Sequence, residues 1–129
     1  METKVMCVGS AKTKAVNKRA PIIRLTGDWL DKIGFEGGKV ATAQYDHGSI
    51  LLRAHDSDNY RNLVRGAYKT GAGLFQVRRL THNRKLITYI HIKGARLESL
   101  GFTIGSVIAV QYEQGFIQIT LIDLDKLEE

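Results

Sequence analysis

Apolar residues fall in short runs along this chain, each of strand length and each bounded by glycine or polar residues. Val5 to Val8, Ile22 to Leu25, Lys39 to Tyr45 and Ser49 to Leu52 form one set; Leu74 to Leu80, Leu86 to Ile92, Ser106 to Tyr112 and Phe116 to Leu121 form a second. Their β-branched and aromatic content predicts strands. Pro21 suits the start or edge of one, because it cannot donate to a ladder. Between strands the period changes. Leu30 and Ile33, and again Leu97 and Leu100, are three apart and predict a short helical turn. Gly34 and Gly101 follow where a left-handed C-terminal cap is wanted, with Phe35 and Phe102 folding back on the helix. Asp46-His47-Gly48 and Glu113-Gln114-Gly115 have the composition of tight hairpin turns. The prediction is a mostly β protein with short helices.

The two sets are copies of each other. Ile23, Gly27, Leu30, Gly34, Phe35, Gly38, Val40, Gln44, Tyr45, Gly48 and Ile50 reappear 67 residues later as Ile90, Gly94, Leu97, Gly101, Phe102, Gly105, Val107, Gln111, Tyr112, Gly115 and Ile117. Eleven identities in 32 gapless positions, against about two by chance from average residue usage, indicate a duplication. The organisation expected is a β-β-α-β-β unit over 1–53, a linker over 54–73 and a second unit over 74–125. Within the linker, Tyr60, Leu63, Val64 and Ala67 recur at helical spacing and predict a short amphipathic helix. Trp29, Leu30, Ile33 and Phe35 read as core, since burying large apolar side chains is what stabilises so small a unit.

Charge changes the picture more than composition does. The net charge is +6, but 15 of the 19 Lys and Arg residues lie in two windows without an acid, from Thr3 to Gly27 and from Asn59 to Leu97. The acids gather at Asp28, Asp31 and Glu36 and in the tail. Segregation of this kind gives a positive face that attracts polyanions. No run approaches the roughly 20 apolar residues of a membrane helix, and Met1 to Gly9 lacks a secretory h-region. Cys7 is the only cysteine, which excludes an intrachain disulfide and a cysteine-based metal site. A reduced cytoplasmic setting is the default expectation.

The first copy, Pro21-Ile22-Ile23-Arg24-Leu25-Thr26-Gly27-Asp28-Trp29-Leu30 followed by Gly34-Phe35, Gly38, Val40 and Gly48, resembles the SymE family of toxin-like proteins within the AbrB/MazE superfamily. The second copy keeps Ile92-Lys93-Gly94-Ala95-Arg96-Leu97 and Gly101-Phe102, with Arg96 in place of the tryptophan. The resemblance implies a swapped-hairpin AbrB-like β-barrel, closed here by two tandem units in one chain. Strands of both copies would interleave around Leu25, Val40, Ile50, Ile92, Val107 and Ile117. It also implies a partner: SymE proteins are described as RNA-damaging toxins of toxin-antitoxin systems, and their fold relatives are largely DNA-binding regulators.

Binding to DNA or RNA is therefore the expected function. The residues expected to carry it are Lys12, Lys14, Lys18, Arg19 and Arg24 from the first copy and Arg78, Arg79, Arg84 and Lys85 from the second. Lysine mostly neutralises phosphate, whereas arginine also suits guanine edges, so the second copy would discriminate and the first anchor. A ribonuclease-like toxin is the alternative. It would need a general base and acid at the phosphate, and His82 and His91, near Arg84 and Lys85, are the weak candidates. No histidine spacing points to a metal, no cofactor is called for, and further homo-oligomerisation stays open.

Overall fold

The computed structural model describes residues 2–13, 18–55, 65 and 73–122. Lys14 and nearly all of the expected linker helix lie outside the described residues. In the first copy, β1 (Glu2–Cys7), β2 (Gly9–Lys12) and β3 (Arg19–Thr26) lead to α1 (Asp28–Lys32) and the hairpin β4 (Val40–Asp46) and β5 (Ser49–His55). The second repeats this as β6 (Gly73–Gln76), β7 (Arg78–His82), β8 (Lys85–Lys93), α2 (Ala95–Ser99), β9 (Val107–Glu113) and β10 (Phe116–Leu121). All pairings are antiparallel, as a two-faced sheet with one solvated side allows.

The strands form two sheets, a six-stranded one in the order β1-β9-β10-β5-β4-β6 and a four-stranded one in the order β2-β3-β8-β7. This corrects the expectation of a closed barrel. The reason lies at two single residues. The stretch from Leu74 to Leu80, read from the sequence as one strand, breaks at Val77, and the first copy breaks likewise at Val8. At each break the chain leaves the larger sheet and enters the smaller. Val8 bonds through both backbone groups to Gly105 and Ser106, and Val77 bonds to Gly38 and Lys39 in the same way. Both valines are buried, at 2% and 1% exposure. These crossovers stitch the sheets together without continuing either ladder.

Both sheets contain both copies. The N-terminal strand of each copy pairs with the other copy: β1 joins the hairpin of the second copy at β9, and β6 joins that of the first at β4. The two hairpins meet at β5–β10, and the two central strands of the smaller sheet at β3–β8. The helices follow the exchange. The Gly115 N–H donates to Ile33 O at the end of α1, and the Gly48 N–H donates to Leu100 O at the end of α2. One core results, with Ile23, Leu25, Ile90 and Ile92 of the smaller sheet against Ile50, Leu52, Ile108, Val110, Ile117 and Ile119 of the larger. Of the six interleaving positions expected, Leu25, Val40, Ile50, Ile92 and Ile117 are buried and Val107 is half-buried.

Each helix is only five residues long and is held by its ends. The Phe35 N–H reaches back to Leu30 O and the Gly34 N–H to Asp31 O, at 2.9 and 3.2 Å; Phe102 and Gly101 do the same to Leu97 and Glu98. This is the paired closure of a Schellman cap, and φ values of 96° and 94° at Gly34 and Gly101 supply the left-handed residue it needs. Phe35 and Phe102 are thereby driven to 0% exposure. Trp29 is not core as expected. Its ring is half-buried, stacks at 4.7 Å on Tyr112, and donates its Nε1–H to Thr26 O. The second copy preserves the contact with different chemistry, since Arg96 lies 4.9 Å over the Tyr45 ring.

This packing orders the cost of truncation. Phe35→Ala or Phe102→Ala should each destabilise by about 3–5 kcal/mol, as for other fully buried aromatics, and Trp29→Ala by clearly less. Urea denaturation followed by circular dichroism checks the order. A Trp29 variant as damaged as the Phe35 variant would show that the ring carries core packing.

Candidate nucleic-acid interface

The smaller sheet has an inner face on the core and an outer face on which Arg24, His91 and Lys93 are exposed while Ile22 is buried, and strand alternation decides which side chains go where. Ile23 opposite Ile92 and Leu25 opposite Ile90 point inward. On the outer face Ile22 stands opposite Lys93, Arg24 opposite His91, and Thr26 opposite Tyr89. Arg78 extends the Tyr89 row on β7. Arg24 and His91 are 67 residues apart and so occupy equivalent positions, side by side at the centre of the sheet.

Charge follows the sheets. The strands of the smaller sheet carry Lys12, Arg19, Arg24, Arg78, Arg79, Lys85 and Lys93 and no acid. Those of the larger carry Lys4 and Arg53 against Glu2, Asp46 and Glu113. Lys18 and Arg84 add to the smaller sheet in the turns that close its hairpins. Because the strands alternate in direction, these two turns lie at opposite ends of the sheet, with the Arg24–His91 centre between them. From Lys18 to Lys85 the register spans about 40 Å at roughly 3.3 Å per residue, somewhat less with twist. Asn83 and Arg84 both have positive φ, at 51° and 64°, as a two-residue type I′ turn requires. The matching first-copy loop is longer.

The expected binding residues do not all reach this face freely. Lys12, Lys18, Arg19, Arg24, Arg78, Arg84 and Lys85 are exposed. Arg19 is steadied by bonds from Nε to Ser10 Oγ at 2.8 Å and from Nη2 to Ser10 O at 3.2 Å. Arg24 crosses over Gly9 and donates to Ser10 O at 3.3 Å. Arg79 faces the other way. It packs on Gly37 and pairs with Asp31 at 3.5 Å, while the buried Thr88 hydroxyl donates to the same carboxylate at 2.9 Å. Its charge serves the contact between α1 and the sheet. Lys93 and Tyr89 share the outer face but were not among the residues singled out from sequence. The alternation of Ile87, Tyr89, His91 and Lys93 along one strand was the signal for them.

His82 and His91 are not brought together. His82 stands opposite Lys85 and His91 opposite Arg24, six residues apart along β8, which is about 20 Å at the rise of a strand. They cannot act as base and acid on one phosphate. Among the described residues no group of three or more His, Cys, Asp or Glu is placed to hold a metal, and no helix is long and apolar enough to cross a membrane. A cavity of about 440 Å³ beside Trp29 and Tyr112, on the larger sheet's side, is rimmed by Glu2 and Glu113. The chain's own Lys4 already lies 5.1 Å over the Trp29 ring. The Tyr112 hydroxyl donates to Glu2 at 2.7 Å, and this bond holds the phenol above its ordinary pKa. No known family, curated protein or solved structure matches the chain.

Partial burial, then the neighbouring Arg24 and Lys93, hold the His91 imidazole below the ordinary histidine value near 6.5. The ring is therefore neutral at pH 7 in the free protein. The unfolded chain takes up this proton more readily, so this group subtracts stability as pH falls below about 6.5. An anion laid on the sheet reverses the bias and favours imidazolium, so binding takes up a proton. Affinity for an oligonucleotide should then climb as pH drops from about 8 to about 5, levelling once the free ring is itself protonated. His91→Gln should flatten that climb and His82→Gln should leave the His91 part intact. Equal pH profiles for parent and His91→Gln would place His91 away from the bound phosphates.

Proposed function

We propose that this chain binds nucleic acid, DNA or RNA, by laying the phosphate backbone across the outer face of the four-stranded sheet. The observation that carries the reading is the partition of charge by sheet: four strands whose own residues include seven cations and no acid are bracketed by two basic turns, while the strands of the opposite sheet are balanced. Counter-ions condensed on a polyanion are released when these cations replace them, and that entropy supplies affinity without base contacts. The first copy contributes mostly lysine at its tip and the second Arg84 with Lys85. This suits the division of labour between anchoring and discrimination.

The exchange of strands between copies supports the finer reading too. Units of the AbrB/MazE kind pair into one swapped-hairpin structure, and an exchange between copies is what β1 on β9 and β6 on β4 make here. On this view the chain is a covalent pseudo-dimer of SymE-like units that binds nucleic acid in the cytoplasm.

Electrophoretic shift series with duplex DNA, single-stranded RNA and double-stranded RNA across salt test the proposal. Lys18→Ala with Arg19→Ala, and separately Arg84→Ala with Lys85→Ala, should each weaken binding. Each should also flatten the logarithmic salt slope by about 0.7–0.9 for every phosphate no longer neutralised. Arg79→Ala should lower stability by removing the ion pair with Asp31 while changing the slope little. Binding by both tip variants that equals the parent's at every salt concentration would overturn the reading.

A further inference from the structure

The copies are not equivalent on the outer face. Where β6 runs past β8, the second copy encloses a cavity of about 520 Å³, inside the roughly 300–1,000 Å³ range of small-ligand sites. Its lining combines four kinds of group. Leu74 gives an apolar wall, and Tyr89 gives an aromatic face, its ring centroid 4.5 Å from that of His91. Arg78 and Lys93 add two cations. The Gln76 amide is held in place by its Nε2–H, which donates to Gly38 O at 3.0 Å, so that Oε1 is the atom it offers as acceptor. Among the described residues no acid lines the cavity.

The first copy carries none of these polar and aromatic features. Ile22 replaces Tyr89, Arg24 replaces His91 and Thr26 replaces Lys93, at the constant offset of 67. The ladders of β2–β3 and β7–β8 fix the rest: Gly9 pairs with Ile22 as Arg78 pairs with Tyr89, so Gly9 stands for Arg78 and Cys7 for Gln76. With no side chain on Gly9, the Arg24 guanidinium crosses the space, 2.7 Å from where a Cβ would stand, and ties to Ser10 O. One copy therefore has a ring, an amide and two cations around a cavity, and its counterpart is bridged by an arginine.

A ring to stack on, a fixed acceptor to meet an amine edge, and cations at the rim together describe one ligand chemistry, a planar base attached to phosphate. We propose that this second-copy cavity receives one unstacked nucleobase of a bound single strand, Tyr89 stacking on it, Gln76 meeting its edge, and Arg78 and Lys93 holding the adjoining phosphate. A duplex keeps its bases stacked, and extruding one costs free energy. The face should thus prefer single-stranded nucleic acid, or loops, over duplex of the same charge. This rests on the reading that the outer face binds nucleic acid, and it adds a contact that charge alone would not make.

The test compares two polyanions, a mixed-sequence single-stranded oligonucleotide and inorganic polyphosphate of similar length, which carries no bases. Binding is followed by fluorescence anisotropy, with labelled oligonucleotide directly and polyphosphate by competition. Tyr89→Leu should lower oligonucleotide affinity by about 5- to 150-fold, the range for removal of one aromatic–base stack, and should leave polyphosphate affinity unchanged. Tyr89→Phe should retain both. Gln76→Ala should lower oligonucleotide affinity alone, and it guards against a Tyr89→Leu variant that melts early. If Tyr89→Leu and Gln76→Ala bind the oligonucleotide as the parent does, or weaken both ligands equally, the cavity takes no base and the charged face stands. If the parent binds neither polyanion, the underlying reading falls as well.

Discussion

Everything in this molecule depends on the reciprocal exchange of strands between its two copies. Neither copy owns a complete sheet: each larger-sheet hairpin is covered on its open edge by the other copy's N-terminal strand, and β3 finds its central partner only in β8. The crossovers at Val8 and Val77 and the helix-end bonds at Gly48 and Gly115 repeat the same exchange on a smaller scale. A single copy would leave several strand edges and one face of its core in water. Joined, the copies bury Phe35, Phe102 and the inner residues of both sheets in one cluster. The stiffness of the outer face is a product of that shared interior, because each outward residue alternates with one locked into it.

The duplication and the local devices within it were legible in the sequence, since they rest on short-range rules. Gly34 before Phe35 and Gly101 before Phe102 specify their caps from a few neighbouring residues, and the hairpin glycines do the same. The N-terminal strands were harder. Their equivalence follows an offset of 69, because the first-copy loop after β2 differs in length from the Asn83–Arg84 turn. A gapless comparison at 67 passes over it. The breaks at Val8 and Val77 leave no local mark, since a buried valine is as suitable within a strand as between two. Nothing in the strand pattern therefore corrected the closed barrel that the resemblance implied, where the structure has two sheets.

The site divides along the same line. Basic residues without acidic neighbours announce a positive surface, and their windows map onto the smaller sheet. What each cation does there depends on which side of the strand it leaves, and on long-range partners that composition does not encode. Arg78 and Arg79 are adjacent and chemically identical, yet one lies on the solvated face and the other holds Asp31 beside Thr88. His82 and His91 share a basic window but sit on different rows of the sheet. Conversely, Tyr89 and Lys93 carry no motif and gain their interest only from the face they share with Arg24.

The covalent joining of the copies also changes how the molecule behaves when it is scarce. An exchanged dimer of separate chains comes apart on dilution, and its folded fraction falls with copy number because folding and association are one equilibrium. Here the partner strand is always present at the effective concentration set by the tether between β5 and β6. Forming the exchanged sheets needs no second chain, and the complete outer face exists even when a compartment holds one molecule. The folded fraction of such a protein should therefore not fall on dilution, down to the first molecules made.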